Sequence, residues 1–237
     1  MRKSNFMQCL LTLFLPVVLQ SCYHEDEVYS CNPEVNDWVK ENKAQIQTLT
    51  RSQWQELDYN VSQASYIAFT PTQKIVFWKE KFAEVKTLNW TINELAHIQE
   101  AENFAMSNPQ YFRDGKLTDE ELDEIEVFFI KWLKQGNRDF GWTKQIAMAI
   151  VGTGYKMTDT TGSISLPKRR NTPMAYSTMS TATESTCNCN ISSLLTCVAN
   201  PAGSGCESSN CKEVSYGCGY LLLQACNGRC EEIKPTK

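Results

Sequence analysis

The stretch CNCNISSLLTCVANPAGSGCESSNCKEVSYGCGYLLLQACNGRC, residues 187–230, sets the terms for the rest of the chain. Cysteines stand at Cys187, Cys189, Cys197, Cys206, Cys211, Cys218, Cys226 and Cys230, eight of the 11 in the protein, with Gly203, Gly205, Gly217, Gly219 and Gly228 among them. A segment this poor in large apolar side chains cannot build an ordinary core. An even cysteine count in an exported chain then reads as a disulfide framework. Four bridges at about 2–4 kcal/mol each would offset part of the ordering entropy of such a segment. Their pairing stays open, since eight cysteines allow about 105 arrangements. Only a Cys187–Cys189 bridge is excluded, because an i,i+2 link would be badly strained. The competing reading is metal. Zinc sites favour paired ligands such as C-x2-C, whereas the spacings here are x1, x7, x8, x4, x6, x7 and x3, and the segment holds no histidine. Disulfides are therefore expected, with neither a metal nor a cofactor.

Export is what the N-terminus argues. Arg2 and Lys3 supply a positive start, and Phe6 to Leu19 form an apolar stretch too short to remain as a membrane span. The segment ends Leu19-Gln20-Ser21-Cys22, which resembles a bacterial lipobox. That resemblance implies a signal peptide over 1–21, cleavage before Cys22, and a diacylated Cys22 that ties the protein to a membrane. Two acyl chains hold where a single chain would leak. The acidic tether that follows, residues 22–31, opens with Tyr23-His24-Glu25-Asp26-Glu27. It is similar to the export signals that send lipoproteins of Bacteroidota to the outer face of the outer membrane. The implied location is the cell envelope, lipid-anchored and surface-exposed. Beyond residue 22 no apolar run approaches spanning length, and a net charge of −4 without large blocks argues against a nucleic-acid partner.

Residues 32–152 carry helical periodicity, and the fold class expected is mainly α: a compact helical domain, a linker, and a small disulfide-rich C-terminal module. Asn32-Pro33 caps a helix carrying Val35, Trp38, Val39, Ile46 and Leu49. Ser52 with Gln55 suggests a capping box for a short helix bearing Trp54 and Leu57, and a further short helix holds Tyr66, Ile67 and Phe69. Thr70-Pro71 opens a helix whose inward face reads Ile75, Trp78, Phe82, Val85 and Leu88. Thr91 with Glu94 caps the next, with Leu95, Ile98, Ala101 and Ala105 on one face. Thr118 with Glu121 caps Leu122, Ile125, Phe129 and Trp132, and Gly136 is expected to close that helix. Thr143 starts a last short helix, ended by Gly152. Residues 153–186, rich in Ser and Thr, read as a linker without a core of its own, and 231–237 as a tail. Within the linker, Lys168, Arg169 and Arg170 mark a candidate processing point, the alternative being a solvated charge run. Asp159-Thr160-Thr161 is similar to a short O-glycosylation pattern of exported Bacteroidota proteins.

Chemistry is thin. The two histidines, His24 and His97, have no readable partner set, and His97 reads as a surface or core-edge residue. None of the nucleophile-elbow, zinc-protease, phosphate-loop or dinucleotide motifs occurs. The stretch Asp114 to Glu121 looks like half of an EF-hand loop, but Gln110 and Phe112 stand where its first carboxylates belong. No catalytic residues are assigned, and an enzyme is not expected. Cys31 falls outside the eight-cysteine framework and reads as a thiol, an intermolecular link or a buried side chain.

The tail carries one family resemblance. Cys187-Asn188-Cys189, Tyr216-Gly217-Cys218-Gly219 and Cys226-Asn227-Gly228-Arg229-Cys230, with Cys197, Cys206 and Cys211 between, resemble the fulvocin C-related bacteriocin family. More loosely, Trp54 to Leu88, with Thr70-Pro71, Lys74 and Trp78, resembles the body of its longer members. The resemblance implies a bacteriocin-like module at the end of an exported precursor, acting at the envelope or on a surface receptor of a target cell, once released. Within the module Lys212 and Arg229 balance Glu207 and Glu213, so attraction to anionic lipid adds nothing. Tyr216, Tyr220, Leu221, Leu222 and Leu223 form either an exposed contact patch or the module's own small core. The alternative function is a non-toxic binding or adhesion lipoprotein with the module as a recognition element.

Overall fold

Six of the described helices begin on a side chain that accepts hydrogen bonds from the first backbone N–H groups. The computed structural model describes residues 27–167, 187–195, 197, 206–208 and 213–230. In order come α1 (Pro33–Ile46), α2 (Arg51–Trp54), α3 (Tyr59–Ile67), α4 (Pro71–Val85), α5 (Ile92–Ser107), α6 (Asp119–Phe140) and α7 (Lys144–Ala147). Asn32, Thr50, Thr70, Thr91, Thr118 and Thr143 are the caps, and four of the threonines are answered by Gln53, Gln73, Glu94 and Glu121 in reciprocal boxes. The mainly helical fold with a small disulfide-rich C-terminal module is as expected. None of the described helices is long and apolar enough to cross a membrane.

Four local expectations change or sharpen. The box at α2 is Thr50–Gln53, not Ser52–Gln55, because Thr50 is the residue in extended conformation. This start carries Trp54 into the core, where its Nε1–H donates to Ser62 O at 2.5 Å. Helix α4 buries its expected face and more beside it. Phe77, Trp78, Phe82 and Val85 are buried together with Lys74 and Lys81, while Ile75 is half-buried. Helix α6 does not stop at Gly136. It runs to Phe140 and is closed by Gly141 in the left-handed region at φ 70°. Gly136 lies buried inside the helix, where a Cβ would come within 2.9 Å of Trp142 Cε3 and 3.3 Å of His97 Nε2. His97 itself is 2% exposed and stacks on Trp132, with ring centroids 4.9 Å apart, so it is not a surface residue; it sits at the core edge, where Glu100 meets it from outside.

The largest departure is at the start of the expected linker. After a π-helical turn at Met148–Gly152, the chain stays in the core: Thr153, Tyr155 and Met157 are buried, and β1 (Lys156–Met157) pairs antiparallel with β2 (Ile164–Ser165). Tyr155 packs on Trp54, its carbonyl accepts from Lys81 Nζ at 2.5 Å, and its hydroxyl meets Ser62 Oγ at 2.5 Å. Gly154 is small because it must be. A Cβ there would fall 2.1 Å from Phe77 Cζ. Asp159 turns the hairpin by accepting from the N–H groups of Thr161 and Ser163, which puts the Asp159-Thr160-Thr161 triplet at its tip. Residues 168–186, with Lys168, Arg169 and Arg170, lie outside the described part, as do the signal region with Cys22, and Cys211.

The C-terminal module is built from short antiparallel pairs: β3 (Cys206–Ser208) with β6 (Gly228–Cys230), and β4 (Val214–Cys218) with β5 (Gln224–Cys226). Cys189 bridges to Gly228 beside them. Val214 and Cys218 of β4, Cys226 of β5 and Tyr220 to Leu223 between them join the same buried cluster as the helices.

Candidate functional site

The module is stapled within itself. Disulfides join Cys189 to Cys206, Cys197 to Cys230, and Cys218 to Cys226, closing 17, 33 and 8 residues of chain. Cys187 is also disulfide-bonded. Seven of the eight expected cysteines are thus bridged, and the eighth, Cys211, lies outside the described residues. The Sγ atoms of Cys189, Cys197 and Cys230 lie within 4.8 Å of one another. Committed to two bridges, they offer no thiolate to an ion while those bridges stand. Cys31 sits half-buried beside the module, its sulfur accepting from the Cys187 N–H at 2.6 Å. Burial raises its thiol above the usual value, against the pull of that hydrogen bond.

The hairpin β4–β5 forms a contact with the helical body, beside those of Cys187 with Cys31 and of Leu195 with Gly152. Gly217, at φ 114°, passes so close to α3 that a Cβ would lie 2.9 Å from Ile67 Cδ1. The loop Gly219–Leu223 then turns back on itself, with Leu221 and Leu222 at φ 51° and 57°. Two consecutive leucines in the left-handed region cost about 1–2 kcal/mol each and persist only where the surroundings over-determine them. Here they are over-determined. Tyr220 and Leu221 are 0% exposed, and the Tyr220 ring stacks on Phe129 of α6 with centroids 4.9 Å apart and planes within 8°. Tyr66 of α3 donates to Leu221 O at 3.2 Å while accepting from Trp78 Nε1 at 2.9 Å. Gln63 Nε2 reaches Gly217 O at 3.3 Å and the sulfurs of Cys218 and Cys226 at 3.2 and 3.3 Å.

A buried ammonium completes the seam. Lys74, 1% exposed, lies 4.4 Å over the Tyr216 ring and 3.3 Å from its hydroxyl, and Asp114 faces it at 3.7 Å. Tyr216 in turn donates to Ile67 O at 2.9 Å. Burial pulls the Lys74 ammonium down to about 8, against the attraction of Asp114. Burial likewise drives the Tyr216 phenol well above its ordinary value. Lys81, one heptad on, is 0% exposed, and burial, followed by the Arg51 guanidinium, brings it down to about 7. Arg51 is itself held by both oxygens of Glu84 at 3.0 Å. Sequence reasoning passed over both lysines, although Lys74, Trp78, Lys81 and Val85 share one helical stripe and could have been read from that spacing.

The apparent half EF-hand has a different use. Arg113 grips Glu121 through both guanidinium nitrogens at 2.6 Å, holding that carboxyl at about 2. His97 uses both ring nitrogens: Nδ1 faces the exposed Glu100 carboxylate at 2.9 Å and Nε2 faces Trp132 O at 3.0 Å. Between body and module lies a cavity of about 30 Å³, bordered by Ser62, Gln63, Asn188, Leu195, Gly217 and Leu222, with room for about one water molecule. A wider groove of about 300 Å³ runs past the starts of α2 and α4. There Gln73 closes the floor by donating to Ile46 O and Leu49 O. Comparison with family models, with curated proteins and with solved structures finds no match to this chain. What the geometry offers is a disulfide-stapled module seated on a helical body through its β4–β5 hairpin, with Cys187 and Leu195 beside it.

Proposed function

We propose that this chain is an exported bacterial lipoprotein, held through Cys22 on the surface of the outer membrane, whose fulvocin C-like C-terminal module acts in antagonism between bacteria. The observation that carries the reading is the pairing of the described bridges. Each of the three described bridges joins two cysteines of residues 187–230, so a cut upstream leaves the staples in place. Lys168, Arg169 and Arg170 are the proposed processing point, and the target is the envelope or a surface receptor of a competing cell. No catalytic step is invoked.

The test is intact mass, with and without thiol alkylation, of the protein recovered from membrane and medium of producing cells. A medium fragment starting between Arg170 and Cys187, resistant to alkylation and inhibitory to a panel of bacterial strains, is the expected result. A second reading, a non-toxic surface binding or adhesion lipoprotein, is favoured by one observation: module and body share a single buried cluster. A full-length diacylated form found only in the membrane would select that reading. Freely alkylated module cysteines would overturn both.

A further inference from the structure

We infer that the helical body is a docking surface for its own module, and that cutting the chain between residues 167 and 187 leaves the module bound and masked. As a mechanism of control this rests on the antagonistic reading above; the contact itself stands on the geometry alone.

The face in question is Tyr216 to Leu223. Tyr220, Leu221, Leu222 and Leu223 are all at most 8% exposed, and so is Val214 at 2%. The choice left open by the sequence, contact patch or private core, therefore resolves as a third arrangement: the patch is an interface, and the body occupies it. A contiguous apolar surface of this kind is a contact site when uncovered. Three directional latches accompany the apolar seat. Tyr66 binds Leu221 O, Gln63 binds Gly217 O, and Tyr216 binds Ile67 O. Each ties a side chain to a carbonyl across the seam, so what is recognised is the conformation of the loop as well as its composition. The left-handed pair Leu221–Leu222 adds to this, since the body holds in place a turn that costs free energy to form. None of these contacts depends on chain continuity through residues 168–186. After a cut the module would face the same surface at the same geometry, and freeing it requires separate undocking. Processing alone then produces a stored form, not an active one.

The experiment uses the full oxidised chain with a site-specific protease sequence inserted after Thr178. Cleavage is verified by mass, and the cut protein is run on a sizing column at low micromolar concentration under native conditions. The expected result is co-elution of the two fragments at the position of the uncut protein. In denaturant, with the bridges intact, they should separate. Gln63→Ala and Tyr66→Phe each remove a latch and should speed dissociation of the cut complex about tenfold; Arg138→Ala, at an exposed pair with Asp139, should leave it unchanged. Elution of the module alone as soon as the chain is cut overturns the inference. So does a cut complex that inhibits the strain panel as strongly as an inhibitory separated module. Co-elution with a separated module that inhibits no strain would leave the docking surface standing and remove the antagonistic reading.

Discussion

Replacing Lys81 by methionine should invert its effect on stability with pH. The ammonium is 0% exposed and donates to Tyr155 O at 2.5 Å, with Arg51 adding repulsion. Its value falls from 10.5 to about 7 on folding, burial being the first cause. Because the folded value is the lower one, the unfolded chain binds the extra proton between these limits, and stability rises with pH across that window. From pH 6 to pH 9.5 a group moving between these values gives the folded state about 3 kcal/mol. Methionine has no proton to lose, so Lys81→Met lacks this slope. Its own cost is the Tyr155 carbonyl left without a donor, about 1–3 kcal/mol at every pH. The variant should therefore exceed the parent by about 2–4 kcal/mol at pH 6 and be level with it or below at pH 9.5. Urea unfolding followed by tryptophan fluorescence at the two pH values reads this directly. Parallel behaviour of parent and variant across pH would refute the placement of Lys81 as a buried, desolvated amine.

Three further outcomes follow from the packing. Proteolysis without reduction should yield peptides linked Cys189–Cys206, Cys197–Cys230 and Cys218–Cys226; any other partner for these six by mass spectrometry would dismantle the module. Gly136→Ala pushes a methyl to 2.9 Å from Trp142 Cε3, and should cost about 1–3 kcal/mol in thermal unfolding; an unchanged midpoint would mean that Trp142 does not lie over α6 there. Arg51→Met strands the Glu84 carboxylate and removes one of two donors from the Gly154 carbonyl, Gln55 being the other, for a loss of about 3–5 kcal/mol, against no resolvable loss for the exposed Arg138→Ala. Equal effects in chemical unfolding would contradict the buried pairing.

Local signals carried most of the helical body. The threonine caps and their Gln or Glu partners are read within four residues, and Asn32, Thr70, Thr91, Thr118 and Thr143 start helices as their spacing requires. The cysteine framework was legible as a framework, since composition and even count suffice for that. Boundaries set by non-local packing were not. Gly136 has the chemistry of a helix end, and only the arrival of Trp142 and His97 makes it an interior position. Gly152-Thr153-Gly154 has the composition of a linker, and only Phe77 and Trp54 pressing on Gly154 make it core.

The sequence by itself determined that this protein is mainly helical, that it carries a disulfide-stapled end, and where its helices begin, because these depend on near neighbours and on composition. Tertiary structure alone decided which cysteines pair, that two lysines of α4 are buried, and that Tyr216 to Leu223 belongs to the interface with the body. Those outcomes depend on which surfaces meet after the chain has closed on itself, and residues as far apart in sequence as Phe129 and Tyr220 carry no local mark of their meeting.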